Sequence, residues 1–122
     1  MDSDGDGMNS LERAQQICQK LEARGVRATV DVYALNIPGV LVNMPTDRTN
    51  DLNCGVTLTW SLSCVGPGPG GDRTGWTQLE TLMEAVEATL PIERSHAQPF
   101  VRPGRGEVTN FPSYEATFSE AL

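Results

Sequence analysis

The sequence predicts an α+β domain in which a mostly antiparallel sheet of four or five strands carries two main helices packed on one face. Three observations lead to this fold class. Apolar residues recur at helical spacing over residues 9–25 and again over residues 74–90. Between them, residues 53–64 alternate polar and apolar side chains at every position, which indicates a half-buried strand of about 40 Å. Shorter alternating segments also occur, and an order of helix, strands, helix, strands is typical of an α+β domain.

The two predicted helices have recognisable ends. Asn9 is the predicted N-cap of the first helix, Glu12 completes a capping box with it, and Gly25 ends the helix. The second helix is predicted over residues 74–90 and ends before Pro91. The residues predicted to be buried are Leu11, Ala14, Ile17, Cys18 and Leu21 in the first helix and Trp76, Leu79, Leu82, Met83, Val86 and Leu90 in the second.

Shorter strands are predicted on both sides of the long one. Residues 26–32 and 40–44 alternate, and the turn residues Pro38 and Gly39 separate them. Residues 46–52 are polar and are predicted to form a loop. Residues 95–102 are predicted to be extended, with Pro99 restricting them to a sheet edge or a bulge. A turn at residues 102–106 then leads to a final strand around residues 114–118.

The composition predicts one domain that folds in the cytoplasm. Of the 122 residues, 1–8 are predicted to be a flexible acidic tail and 9–122 a single domain. No apolar run reaches the ~18 residues of a membrane span, and the acidic N-terminus is the reverse of a secretory signal. The three cysteines lack a paired spacing and are expected to be buried thiols. A net charge of −7 argues against a protein that binds nucleic acid tightly.

Three sequence features are similar to known kinds of site, but none is complete. The acidic string at residues 2–7 matches the first half of a calcium loop, but its twelfth position is Arg13 instead of the required glutamate. His96 is the single histidine, without a nucleophile motif nearby and without the partners of a zinc site. The Gly/Pro-rich run at residues 66–71 lacks the lysine of a phosphate-binding loop. The sequence therefore predicts no enzyme, cofactor or metal, but a structural protein that works by self-assembly.

Three glutamates form an acidic face on the second predicted helix, with no basic residue at the spacing of a helical ion pair: Glu80, Glu84 and Glu87. Three interpretations stay open, namely a solvated face, a contact with another copy of the chain, and a general acid–base pair. Under the second interpretation the expected partners are three arginines close together in the sequence: Arg94, Arg102 and Arg105.

Packing and turn patterns follow one another in a distinctive order along residues 11–120. They are IPGVLVNMP at 37–45, DLNCGVTLTW at 51–60, GPGPG at 66–70, the second helix, and FPSYEATF at 111–118. This series resembles the tail terminator proteins of phages with long, non-contractile tails (siphoviruses), especially those of actinobacteria. The acidic residues 1–8 are not part of the resemblance.

The resemblance implies a virion protein of the tail and neck that is assembled in the host cytoplasm. Its partners would be copies of itself in a homo-hexameric ring, the major tail tube protein, and the stopper protein of the neck. The ring would end tube polymerisation and let genomic DNA pass through its lumen without specific binding, which suits an acidic protein. The first candidate loop for contacts toward tube or lumen consists of Thr46, Asp47, Arg48, Thr49, Asn50 and Asp51, and the second of Pro67, Gly68, Pro69 and Gly70.

Two alternatives to a terminator remain at this point. A head–tail stopper, another ring protein of the neck, could be built from similar subunits. A small intracellular enzyme or binding module is the alternative from another class of protein.

Overall fold

The computed structural model describes residues 9–51, 55–68, 73–102 and 110–122, which contain two α-helices, a six-stranded sheet and a two-stranded sheet. The helices are α1 (Ser10–Ala23) and α2 (Arg73–Thr89). The strands are β1 (Ala28–Thr29), β2 (Gly39–Val42), β3 (Asp47–Asp51), β4 (Gly55–Val65), β5 (Arg94–Ala97), β6 (Phe100–Val101), β7 (Asn110–Phe111) and β8 (Ser113–Ala121). The predicted α+β class is confirmed; the predicted acidic tail lies outside the described residues.

The long strand β4 organises the main sheet. The strand order is β1-β2-β4-β8-β5, and β3 pairs with β4 on the same side as β2 but at the other end. The β1–β2 pair is parallel and the other described pairs are antiparallel. The prediction of a mostly antiparallel sheet is confirmed, whereas the predicted number of four or five strands was too low. β6 and β7 form the separate second sheet.

The prediction of a loop at residues 46–52 was wrong, because Asp47–Asp51 is strand β3. It pairs with the first half of β4, from Asp47 opposite Thr59 to Asp51 opposite Gly55. The side chains from Asp47 to Asn50 are all exposed, so β3 has no apolar alternation by which a strand is recognised. Main-chain pairing with β4 determines its conformation instead.

The first predicted strand was too long, because only Ala28–Thr29 pair within the sheet. Local side-chain bonds then turn the chain away. The Asp31 amide donates to Thr29 Oγ1 at 3.1 Å, and the Tyr33 amide donates to Asp31 Oδ1 at 2.9 Å. Asp31 therefore caps a short 3₁₀ helix, Val32–Ala34, in place of a continued strand.

The main core lies between the two helices and one face of the sheet. The even-numbered residues Leu58, Trp60, Leu62 and Cys64 of β4 are buried there, as their alternation predicts. The helices contribute Ala14, Ile17, Cys18 and Leu21 from α1 and Leu79, Met83, Val86 and the following Leu90 from α2. Burial raises the pKa of the Cys64 thiol to about 12 and that of Cys18 to about 11, so both are poor nucleophiles at neutral pH.

Helix ends match the sequence in detail. Asn9 and Glu12 form the predicted capping box, with the Glu12 amide donating to Asn9 Oδ1 at 2.8 Å and the Asn9 amide to Glu12 Oε1 at 3.1 Å. Gly25 follows α1 with a φ of +81°, a left-handed conformation that glycine adopts readily. The capping prediction is therefore confirmed.

Two residues predicted to be buried are exposed. Leu11 and Trp76 both belong to the first turn of their helix, and their side chains are 56% and 61% exposed. In the first turn of α2 the buried position is Gly75, the residue before Trp76. The strand predicted at residues 40–44 also differs from the observed one, because β2 ends at Val42 and Met44 is 85% exposed.

Candidate assembly surfaces

An exposed apolar groove lies at the end of the sheet where β4 finishes. We name it the Trp76 groove; its volume is about 420 Å³, and its apolar lining is Trp76, Leu79, Ala97, Pro99, Phe111, Pro112 and Tyr114. It also includes Ser113, which pairs with Val65, the last residue of β4. Gly68 packs tightly behind Phe111, because a Cβ at this position would lie 2.8 Å from Phe111 Cδ1.

A second apolar groove lies beside the middle of β4. We name it the Met44 groove; its volume is about 310 Å³, and its apolar lining is Leu11, Ala14, Val30, Val42, Met44, Pro45 and Trp60. The chain leaving it enters β3, since the Thr46 amide donates to the Thr59 carbonyl at 2.9 Å. The N-terminal turn of α1 lies beside it. Because Trp60 is at the middle of β4, this groove is separate from the Trp76 groove, which lies at the Val65 end of the strand.

The sheet face opposite α1 and α2, which we name the helix-free face, is rich in hydroxyl groups. Ser61 and Thr59 of β4 meet β8 residues, with Ser61 Oγ donating to Glu115 Oε2 at 2.5 Å and Thr59 Oγ1 3.1 Å from Ser119 Oγ. His96 Nε2 lies 3.3 Å from Glu115 Oε1. Ser61 contacts the Glu115 carboxylate and not the His96 imidazole, whereas a serine nucleophile must contact the histidine. Ser61 is also only 1% exposed, so it is not accessible as a nucleophile.

The predicted acidic face is exposed on the flank of α2. Glu80 hydrogen-bonds the hydroxyl of Tyr114 and raises its pKa, which places this flank over β8. The opposite flank of α2, with Thr77, Thr81 and Ala85, faces the end of α1 across a third cavity. Glu80, Glu84 and Glu87 therefore lie on the side of the molecule that ends in β5.

Two of the predicted arginine partners, Arg94 and Arg102, lie apart from that acidic flank. Arg94 belongs to β5 and lies opposite Thr117, which places it on the helix-free face. Arg102 donates a hydrogen bond to the Leu35 carbonyl, next to a small second core of Leu35, Leu41 and Val65. Arg105 lies outside the described residues, as do Pro69 and Gly70 of the second predicted loop. Pro67 and Gly68 follow β4 directly.

A partly buried ion pair that sequence reasoning missed joins the first helix to the last strand. Arg13 Nε donates to Glu120 Oε2 at 2.7 Å and Arg13 Nη2 to Glu120 Oε1 at 2.8 Å. Trp60 Nε1 also donates to Glu120 Oε2, at 2.9 Å. The hydrogen bonding from Arg13 has the largest effect, and together with the bond from Trp60 it holds the pKa of Glu120 below its usual value.

We expect Glu120→Gln to lower the free energy of unfolding at pH 7 by about 2 kcal/mol, because bonds to a charged acceptor are lost. A depressed folded pKa contributes stability above the unfolded pKa, and this contribution disappears as pH falls through the folded value. The gap between wild type and variant should therefore close below pH ~4.5. Urea unfolding from pH 7 to pH 3 measures it. Glu22→Gln, at an exposed position, should shift the free energy by under ~0.5 kcal/mol. A gap as wide at pH 3 as at pH 7 would contradict the assignment.

No protein-family model matches this sequence, and no curated protein matches it either. In the described part of the chain, neither helix has the length and hydropathy to cross a membrane. Within the same residues, no three His, Cys, Asp or Glu side chains cluster closely enough to hold a metal ion. The surfaces described above are therefore the basis for a functional assignment.

Proposed function

We propose that this chain is a phage tail terminator, a virion protein whose copies form a ring on the head-proximal end of the tail tube. The ring stops tube polymerisation and provides the joining surface for the neck. The observation that carries the proposal is the pair of separate exposed apolar grooves, one at the Val65 end of β4 and one beside its middle. A joining protein needs two such surfaces, because it contacts the tube at one end and the neck at the other, and exposed apolar patches commonly mark protein contacts.

The orientation of the sheet fits a ring. When the ring axis runs along β4, the Trp76 and Met44 grooves lie at different levels along the axis and the lateral sheet edges face neighbouring copies. A ring interface is heterologous, joining one surface to a different surface of the next copy, and the two edges of this sheet do differ. A homo-hexamer, as the resemblance implies, is the proposed closed form.

The helix-free face suits a DNA conduit. The small second core covers this face at Leu41 and Val65. The part away from that core presents hydroxyls of β4 and β8 and the partly exposed carboxylate of Glu115, with Arg94 and His96 at its margin. The described residues of this surface lack the density of cations by which proteins retain phosphates. Genomic DNA would pass it without specific binding.

Tube length tests the function. We expect the tail tube protein of the same phage to polymerise without limit alone, and to give short tubes with a ring at one end when this chain is added. Of the substitutions Met44→Glu and Trp76→Glu, the one in the groove that contacts the tube should abolish arrest, because a buried carboxylate is costly at an apolar interface. The one in the groove that contacts the neck should still arrest tubes but fail to bind the neck protein. Electron microscopy of tube lengths and pull-down with the neck protein measure these effects.

Tyr33→Glu is the matched control, since Tyr33 is 75% exposed and belongs to neither groove. It should arrest tubes and bind the neck protein as wild type does. Wild-type protein that ignores tube ends but binds a portal or adaptor ring would instead identify a head–tail stopper. Arrest that survives both groove substitutions would remove the grooves from the mechanism.

A further inference from the structure

Aromatic and proline rings form most of the Trp76 groove. Its walls contain the rings of Trp76, Phe111 and Tyr114 and those of Pro99 and Pro112. Trp76 is 61% exposed, so much of its indole is available to a ligand. Grooves lined by aromatic side chains commonly receive proline-rich segments, which dock in the extended polyproline II conformation.

The main chain around the groove offers few partners to an added β-strand. Pro99 and Pro112 have no amide N–H. The Gln98 amide already donates to the Ser113 carbonyl at 3.0 Å, and the Pro112 carbonyl already accepts the Gly66 amide at 2.8 Å. A ligand of this groove is therefore recognised by side chains and not by extension of the sheet.

The indole N–H of Trp76 is an available side-chain donor. Among the described residues it has no acceptor, in contrast with the indole N–H of Trp60, which is bonded to Glu120. A proline-rich segment suits such a groove, because each proline supplies a carbonyl acceptor and has no N–H that would need a partner. The donor and the apolar rings thus favour the same kind of ligand.

The rim of the groove is acidic on the side of α2. Glu80 accepts a hydrogen bond from the hydroxyl of Tyr114, which lines the groove, and Glu84 and Glu87 continue along the same exposed flank. Within the described part of the chain, no basic side chain pairs with any of the three glutamates. A carboxylate accepts the planar fork of an arginine particularly well. The rim is therefore complementary to an arginine next to the prolines of the ligand.

Two tight contacts support the walls of the groove. A Cβ added to Gly66 would lie 2.9 Å from Leu79 Cβ, and one added to Gly68 would lie 2.8 Å from Phe111 Cδ1. The Ser113 hydroxyl also donates to the main chain of the opposite wall, at 2.6 Å from the Gln98 carbonyl. A preformed groove loses little conformational entropy when it binds a segment that is itself already extended.

We propose that the Trp76 groove binds an extended, proline-rich segment of a partner protein, with an arginine beside the prolines. The proposal rests on the proposed function for the identity of that partner, which is the joining protein that meets this groove. It deepens the proposed function by naming the chemistry of the contact: prolines against the aromatic rings, and arginine against Glu80 and its neighbours.

Synthetic peptides test the ligand in the purified protein, without tail tubes. The capped peptides RAPPAPPA and APPAPPAR cover both chain directions, and tryptophan fluorescence and amide chemical shifts measure binding. We expect saturable binding of at least one of them, and a loss of about tenfold or more in affinity in Trp76→Ala. RAGGAGGA, which lacks the prolines, should not bind. Circular dichroism checks that each variant is folded.

The acidic rim has its own readout. Glu80→Gln keeps an acceptor for the Tyr114 hydroxyl but removes the charge, so it should weaken binding of the arginine peptide by about threefold or more. It should leave the affinity for AAPPAPPA, which has no arginine, unchanged. Glu22→Gln is the matched control, since Glu22 is exposed on α1 and does not line the groove, and it should bind both peptides as wild type does.

No saturable binding of either arginine peptide at millimolar concentration would overturn the proposal. Binding that survives Trp76→Ala, or equal binding of RAGGAGGA, would do the same. An oligomer of the chain that Trp76→Ala dissociates, seen by light scattering, would show that a second copy covers the groove instead. Peptide binding by a protein that does not arrest tubes would retain this ligand and reject the terminator function. Arrest without peptide binding would retain the function and reject the ligand.

Discussion

Trp60→Ala is expected to destabilise the protein by about 3–5 kcal/mol, the range for truncating a large buried aromatic side chain. Trp60 is fully buried at the centre of β4, directly opposite Phe118 of β8. The truncation would leave a cavity between the sheet and the helices, and would remove the indole N–H bond to Glu120. Because domains of this size have free energies of unfolding of about 5–15 kcal/mol, much of the variant would be unfolded at moderate temperature.

Urea unfolding followed by circular dichroism measures the loss. Trp76→Ala is the matched control: the same substitution at the 61% exposed tryptophan should change the free energy of unfolding by less than about 0.5 kcal/mol. Trp60→Phe should fall between the two, because it keeps most of the apolar volume and loses the bond to Glu120. Equal effects at the two tryptophans would show that the core is not arranged as described.

Gly39→Ala is expected to cost about 3 kcal/mol, at the upper end of the usual range for overpacking. A Cβ at Gly39 would lie well inside van der Waals contact of the Asn36 carbonyl oxygen and 3.3 Å from that of Arg27. Both are main-chain atoms, and the Arg27 carbonyl already accepts the Val40 amide at 2.9 Å. Neither can move without disturbing the start of β2, so the strain has little means of release.

Gly25→Ala provides the comparison, because Gly25 has a φ of +81° but no atom within 4 Å of an added Cβ. Its cost should be about 1–2 kcal/mol, from the backbone conformation alone. Thermal and urea unfolding of the two variants, side by side, separate steric crowding from backbone strain. A Gly39→Ala variant as stable as Gly25→Ala would show that the β1–β2 connection relaxes easily.

The parts of the fold that the sequence predicts are those determined by local pattern. The alternation through Leu58, Trp60 and Leu62 identifies β4, because each side chain must enter either the core or the polar face. Asn9 and Glu12 identify the start of α1, because the capping box involves only neighbouring residues. Such features need no knowledge of the tertiary structure.

The parts that were missed depend on partners distant in the chain. β3 is polar on both faces, so only its pairing with β4 makes it a strand. Arg13 and Glu120 are separated by 107 positions, and no pattern within either segment indicates the other. Glu80, Glu84 and Glu87 form a visible acidic face in the sequence, but the position of Arg94 on the opposite face of the sheet emerges only from its pairing with Thr117.

β8, the last strand in sequence, lies in the interior of the sheet between β4 and β5. It supplies Phe118 and Ala116 to the core and Glu120 to the bonds with Arg13 and Trp60. A nascent chain that ends before Ser113 therefore has neither the strand that joins β4 to β5 nor the carboxylate that holds α1. Such a chain can complete this fold only after these residues have left the ribosome, and until then the apolar face of β4 needs protection from aggregation.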